Sequence, residues 1–168
     1  MYNNKREENM NTQEQKKESI YTNLIGGEGN ARTWCLAQEL DIDEKDVDVE
    51  YNEHNEDYTF KVGDKEYKVL TDKESNKEVK EYIRETLWAF TPTFLEDHST
   101  KFDLDHFKKV QELHEDANEI VFNMIDDFDE LVEDAIDQDG SGHFLSTYDG
   151  HENSQDWNGE LFYIYRTN

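Results

Sequence analysis

Between Val110 and Tyr165 the chain contains no lysine or arginine, yet sixteen of those fifty-six positions are Asp or Glu. Any fold must turn these carboxylates to water, because burying an unpaired carboxylate costs far more than packing returns. The result is a polyanionic surface built into a folding domain, and its natural complement is a strongly basic groove of the kind that holds nucleic acid.

The rest of the chain agrees. Acidic residues number 42 against 17 basic ones, for a net charge of −25 and a mean hydropathy of −1.09. The charge argues strongly against direct binding to DNA, RNA or an anionic membrane. At 168 residues a single domain is expected, with 21 aromatic side chains offsetting a hydrophobic content of only 34%. No apolar run approaches a membrane span, and the amino terminus lacks the apolar core of a signal peptide, so a soluble intracellular protein is expected. Cys35 is the one cysteine, which excludes an internal disulfide and a cysteine-based zinc site. It sits beside Trp34 on an apolar helix face, where packing outweighs reactivity.

Residues 1–19 are polar and mixed in charge and are expected to be a disordered tail, with Met10 an alternative start; residues 20–168 form the acidic domain. The loop Gly26-Gly27-Glu28-Gly29 lacks the lysine and strand-to-helix context of a phosphate cradle and reads as a connection. Trp34, Leu36, Ala37 and Leu40 suit a short helix over 31–40. Val47, Val49 and Tyr51 then alternate with acidic residues as a strand. Tyr58, Phe60 and Val62 alternate up to Gly63-Asp64, with Tyr67 and Val69 beyond, which predicts a hairpin with a tight type I′ or II′ turn. Thr71 followed by Glu74 is a capping box opening a helix that places Val79, Tyr82, Ile83, Thr86, Leu87 and Phe90 on one side and stops before Pro92.

Asp103 caps the next helix, in which Leu104, Phe107, Val110, Leu113, Ala117, Ile120, Val121 and Met124 recur every three or four residues. A second acidic helix buries Phe128, Leu131, Val132, Ala135 and Ile136. Leu161 to Tyr165 reads as a terminal strand joining the hairpin's sheet. The fold class expected is α+β: a small antiparallel sheet, made of the hairpin plus the terminal strand, packed against three or so amphipathic helices.

The pieces Tyr67-Lys68-Val69-Leu70-Thr71-Asp72, Leu87-Trp88-Ala89-Phe90, Asp139-Gly140-Ser141-Gly142-His143-Phe144-Leu145-Ser146, Tyr148-Asp149-Gly150 and Tyr163-Ile164-Tyr165-Arg166-Thr167-Asn168 resemble a family of small bacteriophage proteins. The resemblance covers about Tyr58 to Asn168. Ser141 stands where a basic residue is usual, which makes this chain more acidic still. Phage or prophage origin is implied; no catalytic or binding residue is.

Phage origin sharpens the meaning of the charge. An array of carboxylates roughly 5–6 Å apart on helix surfaces imitates the phosphates of nucleic acid and competes for the same arginines and lysines. The expectation is an acidic, non-enzymatic inhibitor in the host cytoplasm, similar in kind to DNA-mimic anti-CRISPR or anti-restriction proteins. It would use no cofactor and bind a basic nucleic-acid-binding host protein such as a CRISPR effector nuclease or restriction enzyme. The contact surface expected is Glu112, Glu115, Asp116, Glu119, Asp126, Asp127, Asp129, Glu130, Glu133 and Asp134. The plain alternative is that these are solvated faces of amphipathic helices in an interaction or regulatory module. Adaptation to high salt is disfavoured by the lysines the chain retains.

A calcium site competes. Asp137, Asp139, Ser141 and Gly142 match positions one, three, five and six of an EF-hand loop, with Phe144 at eight, but Tyr148 occupies position twelve where a bidentate Glu is needed. Otherwise Gly140 and Gly142 supply positive φ angles in a turn, with His143, Phe144 and Tyr148 packed beneath it. Catalysis finds less support. The histidines His98, His106, His114, His143 and His151 are dispersed, although His106 and His114 could share a helix face, and no nucleophile elbow, zinc motif or phosphate loop is present.

Overall fold

The alternating apolar residues on either side of Gly63-Asp64 form a hairpin. The computed structural model, which describes residues 28–52 and 57–168, pairs strand β2 (Asp57–Val62) with β3 (Lys65–Thr71) in antiparallel register, Val62 opposite Lys65 and Phe60 opposite Tyr67. Gly63 takes φ +64° while Asp64 stays negative, the pattern of a type II′ turn. Strand β1 (Asp48–Asn52) lies outside β2, and β5 (Glu160–Arg166) runs antiparallel to β3, as expected of the terminal run. A further strand, β4 (Asn153–Trp157), completes a five-stranded sheet of order β1-β2-β3-β5-β4. It joins β5 through Asn158-Gly159, at φ 56° and 90°, a type I′ hairpin that the Asn-Gly pair encodes and the sequence reading passed over.

One face of the sheet is covered by helix α1 (Glu28–Leu40), which packs against β3, β4 and β5. The small residues Ala31, Cys35 and Ala37 allow close approach, and with Leu36 they bury Phe60, Tyr67, Val69, Phe162 and Ile164. Buried Arg32 donates to the Val69 carbonyl at 2.8 Å, its guanidinium 5.8 Å from the Phe162 ring centre. The helix ends in a Schellman motif: Ile42 N–H donates to Ala37 O and Asp41 N–H to Gln38 O, with Asp41 at φ +53°. Glu28 and Gly29 are therefore helical rather than part of a loop. The tail 1–19 and Gly26-Gly27 lie outside the described residues.

On the opposite face of β2, Lys61 reaches across both neighbouring strands, to Glu50 at 2.8 Å and Glu66 at 3.2 Å, which together raise its pKa.

The chain's contacts group into two compact units. The sheet and α1 (residues 28–52, 57–71 and 153–168) form one, and Asp72–Glu152 form the other, inserted in the chain between β3 and β4. The reading of a single domain over 20–168 thus meets an α+β chain in which only α1 shares a unit with the sheet; the other six helices among the described residues make a unit of their own.

In that unit α2 (Asp72–Thr86) begins directly after Thr71 and buries Ser75, Val79 and Ile83, while Tyr82 stays 44% exposed. Helix α3 (Pro92–Asp97) was missed, although Thr91 caps it through the Phe94 N–H and proline occupies its first turn. Asp103 caps α4 (Leu104–Gln111), accepting from Asp105 and His106 N–H at 3.1 Å.

The single helix expected from Leu104 to Met124 is broken. Helix α4 stops at Gln111, His114 takes φ +54°, and a 3-10 turn over His114–Ala117 leads into α5 (Asn118–Met124). The break serves the backbone of the preceding connection. Gln111 donates to the Trp88 and Phe90 carbonyls at 2.7 and 2.6 Å, and Asn118 donates to Arg84 O at 2.6 Å and accepts from Trp88 N–H at 3.2 Å. A straight helix follows periodicity, but these half-buried backbone groups require partners. Leu113, expected inside, is 52% exposed, and Ile120 is 42% exposed. His106 and His114 consequently stand on different elements.

Asp127 caps α6 (Phe128–Asp139), accepting from Asp129 and Glu130 N–H at 3.0 and 3.2 Å. Helix α6 buries Leu131, Val132 and Ala135, and α7 (Ser141–Leu145) follows after Gly140 at φ +77°. Gly142 is needed for a different reason from the one expected: it is helical, and a Cβ there would lie 2.6 Å from the Gly150 carbonyl oxygen. Phe144 is buried as expected, whereas His143 and Tyr148 are exposed.

Candidate acidic interface

All ten carboxylates of the expected surface are exposed, and all belong to the helical unit. Glu112 lies in the turn after α4, Glu115 and Asp116 in the 3-10 turn, Glu119 on α5, Asp126 and Asp127 in the α5–α6 turn, and Asp129, Glu130, Glu133 and Asp134 on α6.

Absence of cations along the segment does not mean absence of cations in space. Lys80 on α2 pairs with Asp129, and Arg84, one turn further, pairs with Glu119 at 2.5 Å. Both cations rest on aromatic rings. Arg84 Cζ is 3.7 Å from the Phe122 ring centre and Lys80 Nζ 5.9 Å from that of Phe128, and the two rings meet edge to face with centres 5.3 Å apart. This ladder was not anticipated, because α2 is separated from its partners by more than thirty residues. The spacing of Lys80 and Arg84, with that of Phe122 and Phe128, was the only hint available.

Asp134 meets His98, whose side chain is 6% exposed; His98 Nε2 lies 3.1 Å from Asp134 Oδ2 and Nδ1 is 2.8 Å from Phe94 O. Asp126 Oδ2 accepts from Thr100 N–H at 2.6 Å, and hydrogen bonds from Thr100, aided by nearby Lys101, hold its carboxyl below the ordinary range. Asp127 is committed to capping α6. The remaining five, Glu112, Glu115, Asp116, Glu130 and Glu133, have no ion-pair partner among the described residues. The ten therefore divide into five that help hold the unit together and five without an ion-pair partner among the described residues.

The three calcium candidates do not fall within one loop. Asp137 and Asp139 lie in the last turn of α6 and Ser141 starts α7, so the three do not line a loop. Asp149 accepts from the Ser146 hydroxyl at 2.8 Å and His151 N–H at 2.9 Å, closing its own turn. Among the described residues no group of three or more His, Cys, Asp or Glu is placed to hold a metal ion. His106 binds Asp103 at 2.6 Å, holding that carboxyl below its usual range, and His114 meets Trp88 edge-on.

Cys35 is fully buried, its thiol directed at Gln155 O, 3.9 Å away. Burial, reinforced by Asp156, pushes its pKa up to about 11. No described helix is long and apolar enough to cross a membrane. Comparison with protein-family models, with curated proteins and with solved structures found no match.

Proposed function

We propose that this chain is a phage-encoded acidic inhibitor that acts in the host cytoplasm by occupying the nucleic-acid channel of a host defence protein of CRISPR-effector or restriction type. The observation that carries the reading is the set of five exposed carboxylates without an ion-pair partner among the described residues: Glu112, Glu115 and Asp116 in the turns between α4 and α5, and Glu130 and Glu133 on α6, whose start Asp127 caps. A rigid array loses little conformational freedom on binding, and the net charge of −25 would accelerate encounter with a cationic channel. No catalytic step is assigned to it.

The internal pairing of Asp129, Glu119 and Asp134 favours a second reading, a non-catalytic interaction module whose acidity serves solubility. A pull-down from host lysate at about 0.1 and 0.5 M salt, where the screening length falls severalfold, separates the two. Recovery of an identified nuclease or DNA-binding protein at low salt only, whose cleavage or DNA binding the purified chain then inhibits, supports inhibition. Recovery of no such protein, or of one left fully active, leaves the module.

A further inference from the structure

Between α2 and α6 runs a groove of about 510 Å³, lined among others by Lys80, Asp129, Val132, Glu133, Ile136 and Asp137. Residues 129, 133 and 137 lie four apart and form one carboxylate stripe along α6; Val132 and Ile136 fall beside it and give the groove an apolar floor. The chain already seats one cation here. Lys80 reaches from the opposite wall to Asp129, with its ammonium over the Phe128 ring. The next two positions of the stripe, Glu133 and Asp137, are exposed and have no cationic partner among the described residues.

We infer that this groove docks a lysine- or arginine-bearing helical segment of a partner protein, two of whose cations, one helical turn apart, pair with Glu133 and Asp137 while their aliphatic stems lie on Val132 and Ile136. Lys80 is the internal template for that contact, since it shows an aliphatic stem crossing the groove to a carboxylate of the stripe. A long cationic side chain fits such a site because its stem is apolar and its head is not. The inference deepens the inhibitor proposal by naming the element of the basic partner that is held. It also sets apart Glu133 from Glu112, Glu115 and Asp116, which belong to other elements.

The probe is a short, fluorescein-labelled alanine-leucine helical peptide with lysines at i and i+4, measured by anisotropy against the full-length chain at about 0.05 M salt, with glutamines replacing the lysines as control. The Glu133→Gln/Asp137→Asn double variant is expected to weaken binding about tenfold, and the equally charged Glu115→Gln/Asp116→Asn variant about twofold or less. Lys80→Gln, which vacates Asp129, is expected to tighten binding more than Lys77→Gln, which removes the same charge from an exposed pair with Glu81 on α2. Circular dichroism verifies that each variant is folded. Equal weakening by the two double variants, or equal effects of the two lysine changes, overturns the groove and leaves the general inhibitor proposal standing. Failure of the lysine peptide to bind wild type better than its glutamine control overturns both.

Discussion

Lys80 of α2 donates a hydrogen bond to Asp129 of α6, forty-nine residues further along the chain. With the Arg84–Glu119 pair one turn away, it converts part of an apparently unbroken acidic segment into a locally neutral seam resting on Phe122 and Phe128.

The two pairs should differ in strength. Lys80→Ala removes an exposed pair and a distant ring contact and should cost about 0.5 kcal/mol, whereas Arg84→Ala also removes a guanidinium stacked closely on Phe122 and should cost about 1–1.5 kcal/mol. Arg84→Lys should recover only part of the loss, because an ammonium does not stack as a planar group does. Urea unfolding of the three variants checks the order; a Lys80→Ala cost exceeding that of Arg84→Ala would refute it.

Asp41 and His114 hold left-handed backbone angles, φ +53° and +54°, that side chains with a Cβ adopt at a cost. Asp41→Gly and His114→Gly should each stabilise by about 0.5 kcal/mol, the strain relieved exceeding the added freedom of the unfolded chain. Thermal melts showing that either glycine lowers Tm would contradict this.

Gly142→Ala should be severe. The added methyl would meet backbone atoms of Gly150, His151 and Glu152 at 2.6–2.7 Å, and none of these is the end of a flexible side chain. A loss of about 2–3 kcal/mol is expected. Gly140→Ala places its methyl in open space but must hold φ 77° and ψ 154°, a region essentially reserved for glycine, so it should cost about 1–2 kcal/mol. Equilibrium unfolding that reverses this order would show that the 150–152 segment yields.

Cys35 ties stability to alkaline pH. Its folded-state pKa of about 11 lies above the unfolded value near 8.5, so the folded state favours the neutral thiol. The stabilisation is fully present below about pH 8.5 and is lost progressively as pH rises toward 11, because the unfolded chain ionises first. Wild type should therefore lose stability between about pH 8.5 and 11 relative to Cys35→Ala. Native protein should react with an aromatic disulfide reagent far more slowly at pH 8 than urea-unfolded protein. Matching rates would mean that the thiol is accessible in the folded chain.

Much of the framework was readable because it rests on local signals. The Gly63 turn, the alternation of Tyr58, Phe60 and Val62, the helix start just after Thr71 and the cap Asp103 all act within a few residues. The Asn158-Gly159 turn and the Thr91-Pro92 helix start were equally local signals and were overlooked. The break at His114 was a different matter. Leu113 continues the helical period, and only the demand of the Trp88 and Phe90 carbonyls for Gln111, with that of Arg84 O for Asn118, overrides it.

Of the candidate interface, exposure was legible and pairing was not. An amphipathic period states which side chains face water, since burying a carboxylate is prohibitive, and all ten are exposed. It says nothing about which cation from another helix will stand opposite.

The sequence by itself determined most strands and helix starts, much of their inward faces and the sign of the surface, because backbone propensity, periodicity and desolvation act over short distances. Only the tertiary structure decided which carboxylates are neutralised, where a long helix breaks and which groove stays open. Those outcomes depend on groups that become neighbours through folding, such as Lys80 with Asp129 and Asn118 with Arg84.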